Sequence, residues 1–190
     1  MLVKDKNVLR KEYKSLRNNM SLHERRTADI NIFKNAVNLE EIKQAEEILT
    51  YVSSDIEIDT YLLADYCFNA HKKLYAPKCL PNSNDMIFYR INSFSDLEKG
   101  AFGIYEPKEY CKEIDKLMRP VCIVPGLAFD KRGYRLGFGK GFYDKFLSGF
   151  KGIKIGLCYD NCITSCLPND VHDIAVDFLV TEKTALSIKK

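Results

Sequence analysis

Val124-Pro-Gly-Leu-Ala-Phe-Asp-Lys-Arg-Gly-Tyr-Arg-Leu-Gly-Phe-Gly-Lys-Gly-Phe-Tyr-Asp144 packs glycine, cationic and acidic residues into one short run behind an apolar stretch. It reads as a strand that leads through an anion-binding loop into a helix beginning near Phe142. Gly133, Gly137, Gly139 and Gly141 allow sharp turns and close approach of the backbone to a ligand. Successive amides can then point at one phosphate, and a helix that starts just after such a concavity reinforces it. Arg135 contributes a planar fork and Lys140 a compact point charge. Asp130 and Asp144 would repel an anion unless a divalent ion lay between them, and Mg²⁺ habitually joins one or two carboxylates to phosphate oxygens. The composition therefore points to a nucleotide with magnesium. The established patterns fit poorly, because Gly141 stands where a Walker A loop needs Ser or Thr, and G-x-G-x-G is one residue short of the dinucleotide fingerprint. A glycine-rich hairpin with solvated charges is the competing reading.

Around this stretch the chain has the size and composition of one soluble domain: 190 residues, 46% hydrophobic and 29% charged. We expect a single domain over residues 1–190, with amino-terminal helices (about 5–37) packing on an α/β core. A formal charge of +3 is too small to imply nucleic acid or a membrane surface as the main partner. No run has the length and apolarity of a membrane span, and the start lacks the apolar core of a signal peptide. A cytoplasmic monomer is expected. The seven cysteines contain no CxxC pair and read as reduced thiols.

Residues 5–19 place Leu9, Tyr13 and Leu16 at helical spacing among basic residues, and Ser21-x-x-Glu24 is a capping box for a second helix to about Val37. On that second helix Ile30, Phe33 and Val37 are the expected inner face. The basic residues, including Lys11, Lys14 and Arg17, read as a solvated face. Alternatively Lys6 and Arg10, an i, i+4 pair, reach an anion held elsewhere in the fold.

Ile48–Ser53, Lys73–Pro77, Met86–Ile91, Val121–Pro125, Ile153–Cys158 and Val176–Thr181 are strand candidates. Asp59 or Thr60 caps a helix through about His71, the turn at 81–84 separates two strands, and Ser95–Lys99 is helix-like. Phe102–Pro107 reads as an irregular, packed surface turn. Glu57 falls at the carboxyl end of a strand, the usual ligand edge of an open α/β sheet. Strands alternating with helices predict a mainly parallel sheet.

Pro125-Gly-Leu-Ala-Phe-Asp130 followed by Arg135-Leu-Gly-Phe-Gly-Lys-Gly-Phe-Tyr-Asp144 resembles the signature of the 5-formyltetrahydrofolate cyclo-ligase family. Lys6-Asn-Val-Leu-Arg10, Gly103-Ile-Tyr-Glu-Pro107, the run from Tyr51 to Thr60, and His172-Asp173 with Asp177 resemble its weaker motifs in the same order. The resemblance implies ATP- and Mg²⁺-dependent closure of 5-formyltetrahydrofolate to 5,10-methenyltetrahydrofolate. It also implies a three-layer α/β sandwich related to ribose-5-phosphate isomerase and CoA transferases. By the same resemblance, Lys6, Arg10, Arg135, Gly137, Phe138, Gly139, Lys140, Gly141, Phe142 and Tyr143 would contact ATP, with Arg135 and Lys140 neutralising the transferring phosphoryl group. Asp144 and Asp177 would hold Mg²⁺. Val52 and Glu57 would contact the folate, which Phe138 to Phe142 would meet from the loop side. Phe138 stands where other members carry Tyr or Arg, and Phe142 where Tyr is common. The alternatives are an isomerase or CoA transferase on a related fold, or a non-catalytic nucleotide- or folate-binding protein.

Overall fold

The computed structural model describes residues 5–80, 83–100 and 103–188; Pro81, Asn82 and Phe102, read above, lie outside it. Three helices open the chain, α1 (Lys6–Asn18), α2 (Leu22–Val37) and α3 (Glu40–Gln44). Asp5 caps α1 by accepting from the Asn7 amide, and Ser21 and Glu24 cap α2 reciprocally. The expected inner face of α2, Ile30, Phe33 and Val37, is only half-buried, whereas Ala28, Ile32 and Ala36 are buried. Those three lie four residues apart in one line along the helix. Two alanines in that line let the backbone sit close to its neighbours, which pushes the bulkier side chains to the flanks.

The chain continues through β1 (Glu47–Leu49), α4 (Tyr61–Asn69), β2 (Lys73–Cys79), β3 (Met86–Ile91), β4 (Leu97–Lys99), β5 (Tyr105–Pro107) and β6 (Val121–Val124). It closes with β7 (Ala128–Asp130), β8 (Arg135–Leu136), α5 (Phe142–Gly149), β9 (Ile153–Leu157), β10 (Ile163–Thr164), β11 (Phe178–Val180) and β12 (Ala185–Ser187). Seven strands form the central sheet in the order β12-β11-β9-β6-β1-β2-β3. The five inner strands are parallel, and β3 and β12 add antiparallel edges. This is the expected mixed α/β architecture with a large, mainly parallel sheet. β6 and β1 are buried along their whole length, the pattern of strands covered on both faces. The Phe146 ring of α5 packs 4.7 Å from that of Phe88 on β3. Among the described residues no helix is long and apolar enough to cross a membrane.

Two local expectations give way. Ser95–Lys99 is not a helix: a single 3₁₀ turn over Phe94–Asp96 passes into β4, which pairs antiparallel with β5, so Tyr105–Pro107 is a strand rather than an irregular turn. Asp96 accepts from the Asn92 and Ser93 amides, and Gly100 donates to the Ile104 carbonyl. Cross-strand pairing here overrides a helix propensity worth only tenths of a kcal/mol per residue. Of residues 50–53, expected to extend a strand, Thr50 still donates its amide to the Tyr75 carbonyl of β2, and the chain leaves the sheet after it.

The glycine-rich stretch contains the β7–β8 hairpin, pinned from below by Phe129. That ring is fully buried, and a Cβ on Gly126 or Gly156 would stand 2.7 or 2.5 Å from it. Gly156→Ala is therefore expected to overpack the core and cost about 1–3 kcal/mol, read as a lower urea midpoint at unchanged m-value.

Candidate active site

β1 and β6 are neighbours in the sheet and end side by side. The chain after β1 carries Tyr51, Val52 and Glu57, and the chain after β6 carries Pro125 and the glycine loop. Between them opens a cavity of about 500 Å³ that Lys6 and Arg10 of α1 also reach. This is where open α/β sheets bind ligands.

Arg135 lies on the floor, its side chain buried, and its Nη2 sits 2.7 Å from Asp144 Oδ1 while Nη1 donates to the Ile174 carbonyl. Lys6 Nζ lies 2.8 Å from Asp173 Oδ2 and 2.7 Å from Asp170 Oδ2. Burial pushes the Asp173 carboxyl up, but the Lys6 ammonium and the Asp170 amide outweigh it and hold the group below the usual carboxylate range. Arg10 Nε donates to the Gly137 carbonyl at 2.9 Å, so α1 is tied directly to the loop. Lys140 stands exposed on the lip. Gly139 and Gly141, at φ +103° and +74°, hold the left-handed turns on either side of it, and Gly141 caps α5.

The opposite wall is more apolar. Val52 is buried, and Pro77 and Met86 line the cavity with it, while Phe138 and Phe142 belong to the glycine loop, the centre of the Phe138 ring lying 5.8 Å from the Lys14 ammonium of α1. Glu57, like Glu106, is an acid of this lining; burial pushes the Glu57 carboxyl up, against the Ser54 amide and hydroxyl that donate to it and the nearby Arg17 charge. Tyr143 Oη is buried without a hydrogen-bond partner.

The cavity thus gathers Lys6, Arg10, Val52, Glu57, Arg135, Asp144 and the whole of Gly137 to Tyr143. Asp177, expected beside Asp144, is not among its lining residues: just before β11 it accepts from the Lys154 amide and ammonium. Asp173 faces the cavity instead. The motif His172-Asp173 with Asp177 contained the signal, but spacing alone does not tell which carboxylate turns inward. Ile104, Tyr105 and Glu106, expected to form a packed surface turn, line the cavity too, because the β4–β5 hairpin swings them over its rim. Asp130 touches no ligand wall; it accepts from the Arg132, Tyr134 and Leu167 amides and from the Arg132 guanidinium, and so organises the hairpin turn. All seven cysteines are unpaired, and among the described residues no group of three or more His, Cys, Asp or Glu is placed to hold a metal.

A mainly parallel α/β sheet with a glycine loop, clustered cations and two carboxylates at its carboxyl edge suits an anion-binding enzyme of the phosphoryl-transfer type. The comparisons narrow that class. The profile of the 5-formyltetrahydrofolate cyclo-ligase family matches residues 3–182, and the chain belongs to that family. It is 32% identical over 178 residues to the 5-formyltetrahydrofolate cyclo-ligase of Haemophilus influenzae, spanning 90% of this chain and 95% of that one. It is 36% identical to the solved 5,10-methenyltetrahydrofolate synthetase of Aquifex aeolicus, with a TM-score of 0.84 over 97% of this chain and 93% of that one. A 22% identical synthetase structure from Mycoplasma pneumoniae shares the fold, with a TM-score of 0.75 over 94% of this chain and 99% of that one.

Proposed function

We propose that this chain converts 5-formyltetrahydrofolate and ATP to 5,10-methenyltetrahydrofolate, ADP and phosphate, with the phosphates on the glycine loop and the pterin against the Val52–Glu57 wall. The observation that carries this reading is the convergence, in one cavity, of Lys6, Arg10, Arg135 and Lys140 on one side and a half-buried Glu57 on an apolar wall on the other. The formyl oxygen attacks the γ-phosphorus and the bond to the β-phosphate oxygen breaks, releasing ADP. Nitrogen 10 then adds to the activated formyl carbon and loses its proton, and the carbon–oxygen bond breaks as phosphate departs. No protein nucleophile is needed, so the chain's part is positioning and charge stabilisation. Arg135 and Lys140 neutralise the transferring phosphoryl group, Lys6 and Arg10 close over the nucleotide, and Glu57 accepts hydrogen bonds from the pterin.

Asp144 and Asp173 are the carboxylates on the phosphate side of the cavity, and two carboxylates suit Mg²⁺, which completes its shell with water and phosphate oxygens. Bound there, Mg²⁺ would offset phosphate charge. The ion pairs of Asp144 with Arg135 and Asp173 with Lys6 would then be exchanged, freeing both cations for the nucleotide. Asp173→Asn is expected to raise the Mg²⁺ concentration for half-maximal activity by about tenfold or more, whereas Asp177→Asn should leave it unchanged; the reverse pattern in a metal titration restores Asp177.

The same reading takes the chain as a monomer acting as a single domain, with its amino-terminal helices as part of the site. A cytoplasmic setting, where ATP and reduced folates meet, goes with this reading. Purified protein with 5-formyltetrahydrofolate, ATP and Mg²⁺ should generate the absorbance of the methenyl product. Absence of that signal across metal conditions would sink the proposal.

A further inference from the structure

Arg17, which the sequence places on a solvated basic face, is fully buried. It lies seven residues beyond Arg10 on the inward side of α1. Its Nη1 donates to the Ile56 carbonyl at 2.9 Å and its Nη2 to the Gly126 carbonyl at 2.6 Å. The guanidinium carbon stands 5.3 Å from the centre of the Tyr159 ring, whose hydroxyl donates to Asp29, and Nε has no hydrogen-bond partner. Ile56 precedes Glu57 and Gly126 follows Pro125, so one side chain joins two separate loops that both line the cavity. A neutral amide would satisfy carbonyls at lower desolvation cost than a buried cation. The charge itself therefore needs a reason.

Two groups feel that charge: the Cys162 thiol, which the Cys158 thiol and Arg17 together hold below the usual thiol range, and, on the cavity side, the carboxylate that follows Ile56. Burial pushes the Glu57 carboxyl up, the Ser54 donors oppose this from within its own turn, and Arg17 supplies an opposing cation from α1. The other titratable groups facing Glu57 are the phenols of Tyr51, just after β1, and Tyr143, on α5; burial pushes both up, and Glu57 adds to the effect. They bring no positive charge.

We propose that Arg17 is a positioning residue of this reaction: it locks the Glu57 turn to the Pro125–Gly126 loop and sets a positive charge behind Glu57, so that the pterin meets an ordered anion. The inference rests on the reading of Glu57 as the folate acceptor. Removing the cation moves the Glu57 carboxyl further up, so the anion, and folate binding with it, is lost at a higher pH on acidification.

The test is the dissociation constant of 5-formyltetrahydrofolate without ATP, by calorimetry across pH 5–8, for the parent, Arg17→Met, Arg17→Lys and Glu57→Gln, with ATP affinity measured alongside. Arg17→Met should move the pH break up by about one unit and weaken folate about tenfold below it, while ATP affinity changes less than about threefold. Arg17→Lys keeps the charge and should keep the parent's break, with folate weakened about threefold because an ammonium lacks the fork that spans both carbonyls. Glu57→Gln should remove the break. An unmoved break in Arg17→Met, equal loss of folate and ATP affinity in it, or a displaced break in Arg17→Lys overturns the role of Arg17 while Glu57 keeps its own. Parent-like folate binding and break in Glu57→Gln overturns the reading of Glu57 and the proposal with it. If Arg17→Met does not fold, Arg17→Lys decides.

Discussion

Replacing Lys140 by alanine is expected to lower turnover by roughly 10²-fold or more, the usual loss when one preorganised charge is removed from a developing anion. The lysine sits between two left-handed glycines, so the backbone that carries it is set before any ligand arrives. Its side chain is exposed at the cavity lip, and stability should therefore stay within about 0.5 kcal/mol of the parent. That separation makes the result interpretable: kcat falls, the unfolding midpoint stays, and, with the pterin placed as proposed against the Val52–Glu57 wall, KM for the folate moves little. Lys140→Arg is expected to recover activity only in part, since a planar fork does not reproduce a compact point charge. Turnover within threefold of the parent in Lys140→Ala would move the phosphoryl group away from this loop.

The second large effect is on stability and comes from Asp130, a fully buried carboxylate. Oδ1 accepts from the Arg132 and Tyr134 amides at 2.9 and 3.1 Å, and Oδ2 from the Leu167 amide at 2.9 Å. Arg132 adds an ion pair at 2.7 Å, but its side chain is half-exposed, so that contact contributes little. The cost of Asp130→Ala lies in the amides left without an acceptor, each worth about 1–3 kcal/mol, for a total of about 3–5 kcal/mol in a chemical denaturation curve. Asp130→Asn should recover less than half, because one carboxamide position presents N–H to an amide donor. A loss under about 1 kcal/mol would mean that the hairpin turn holds without its acid.

Much of the architecture was legible because local signals and tertiary packing agree in it. Val121–Val124 and Ile153–Leu157 are apolar runs and are inner strands; Ser21 and Glu24 form the capping box their spacing announces. The glycine loop could be read because its residue types are costly anywhere but around a ligand. What could not be read depends on distant partners. Leu97–Lys99 is a strand only because Tyr105–Pro107 pairs with it. Arg17 looks like Lys11 or Lys14 in the sequence, yet the carbonyls that accept from it lie 39 and 109 residues away. Asp173 and Asp177 share a motif, and the register of β11 against β9 places Asp177 beside Lys154, leaving Asp173 to the cavity.

The ion pairs that occupy the cavity's cations also govern what the protein ignores. With Arg135 held by Asp144, and Lys6 by Asp170 and Asp173, much of the positive charge on the phosphate side is already balanced from within. Such a surface attracts loose chloride or inorganic phosphate weakly, since an anion must first break a short contact to reach either group. A ligand that brings its own divalent cation compensates the displaced aspartates in the same event. Selectivity for a metal-bound polyphosphate over the far more abundant simple anions of a cell would then follow from charge exchange, with no shape-specific gate required.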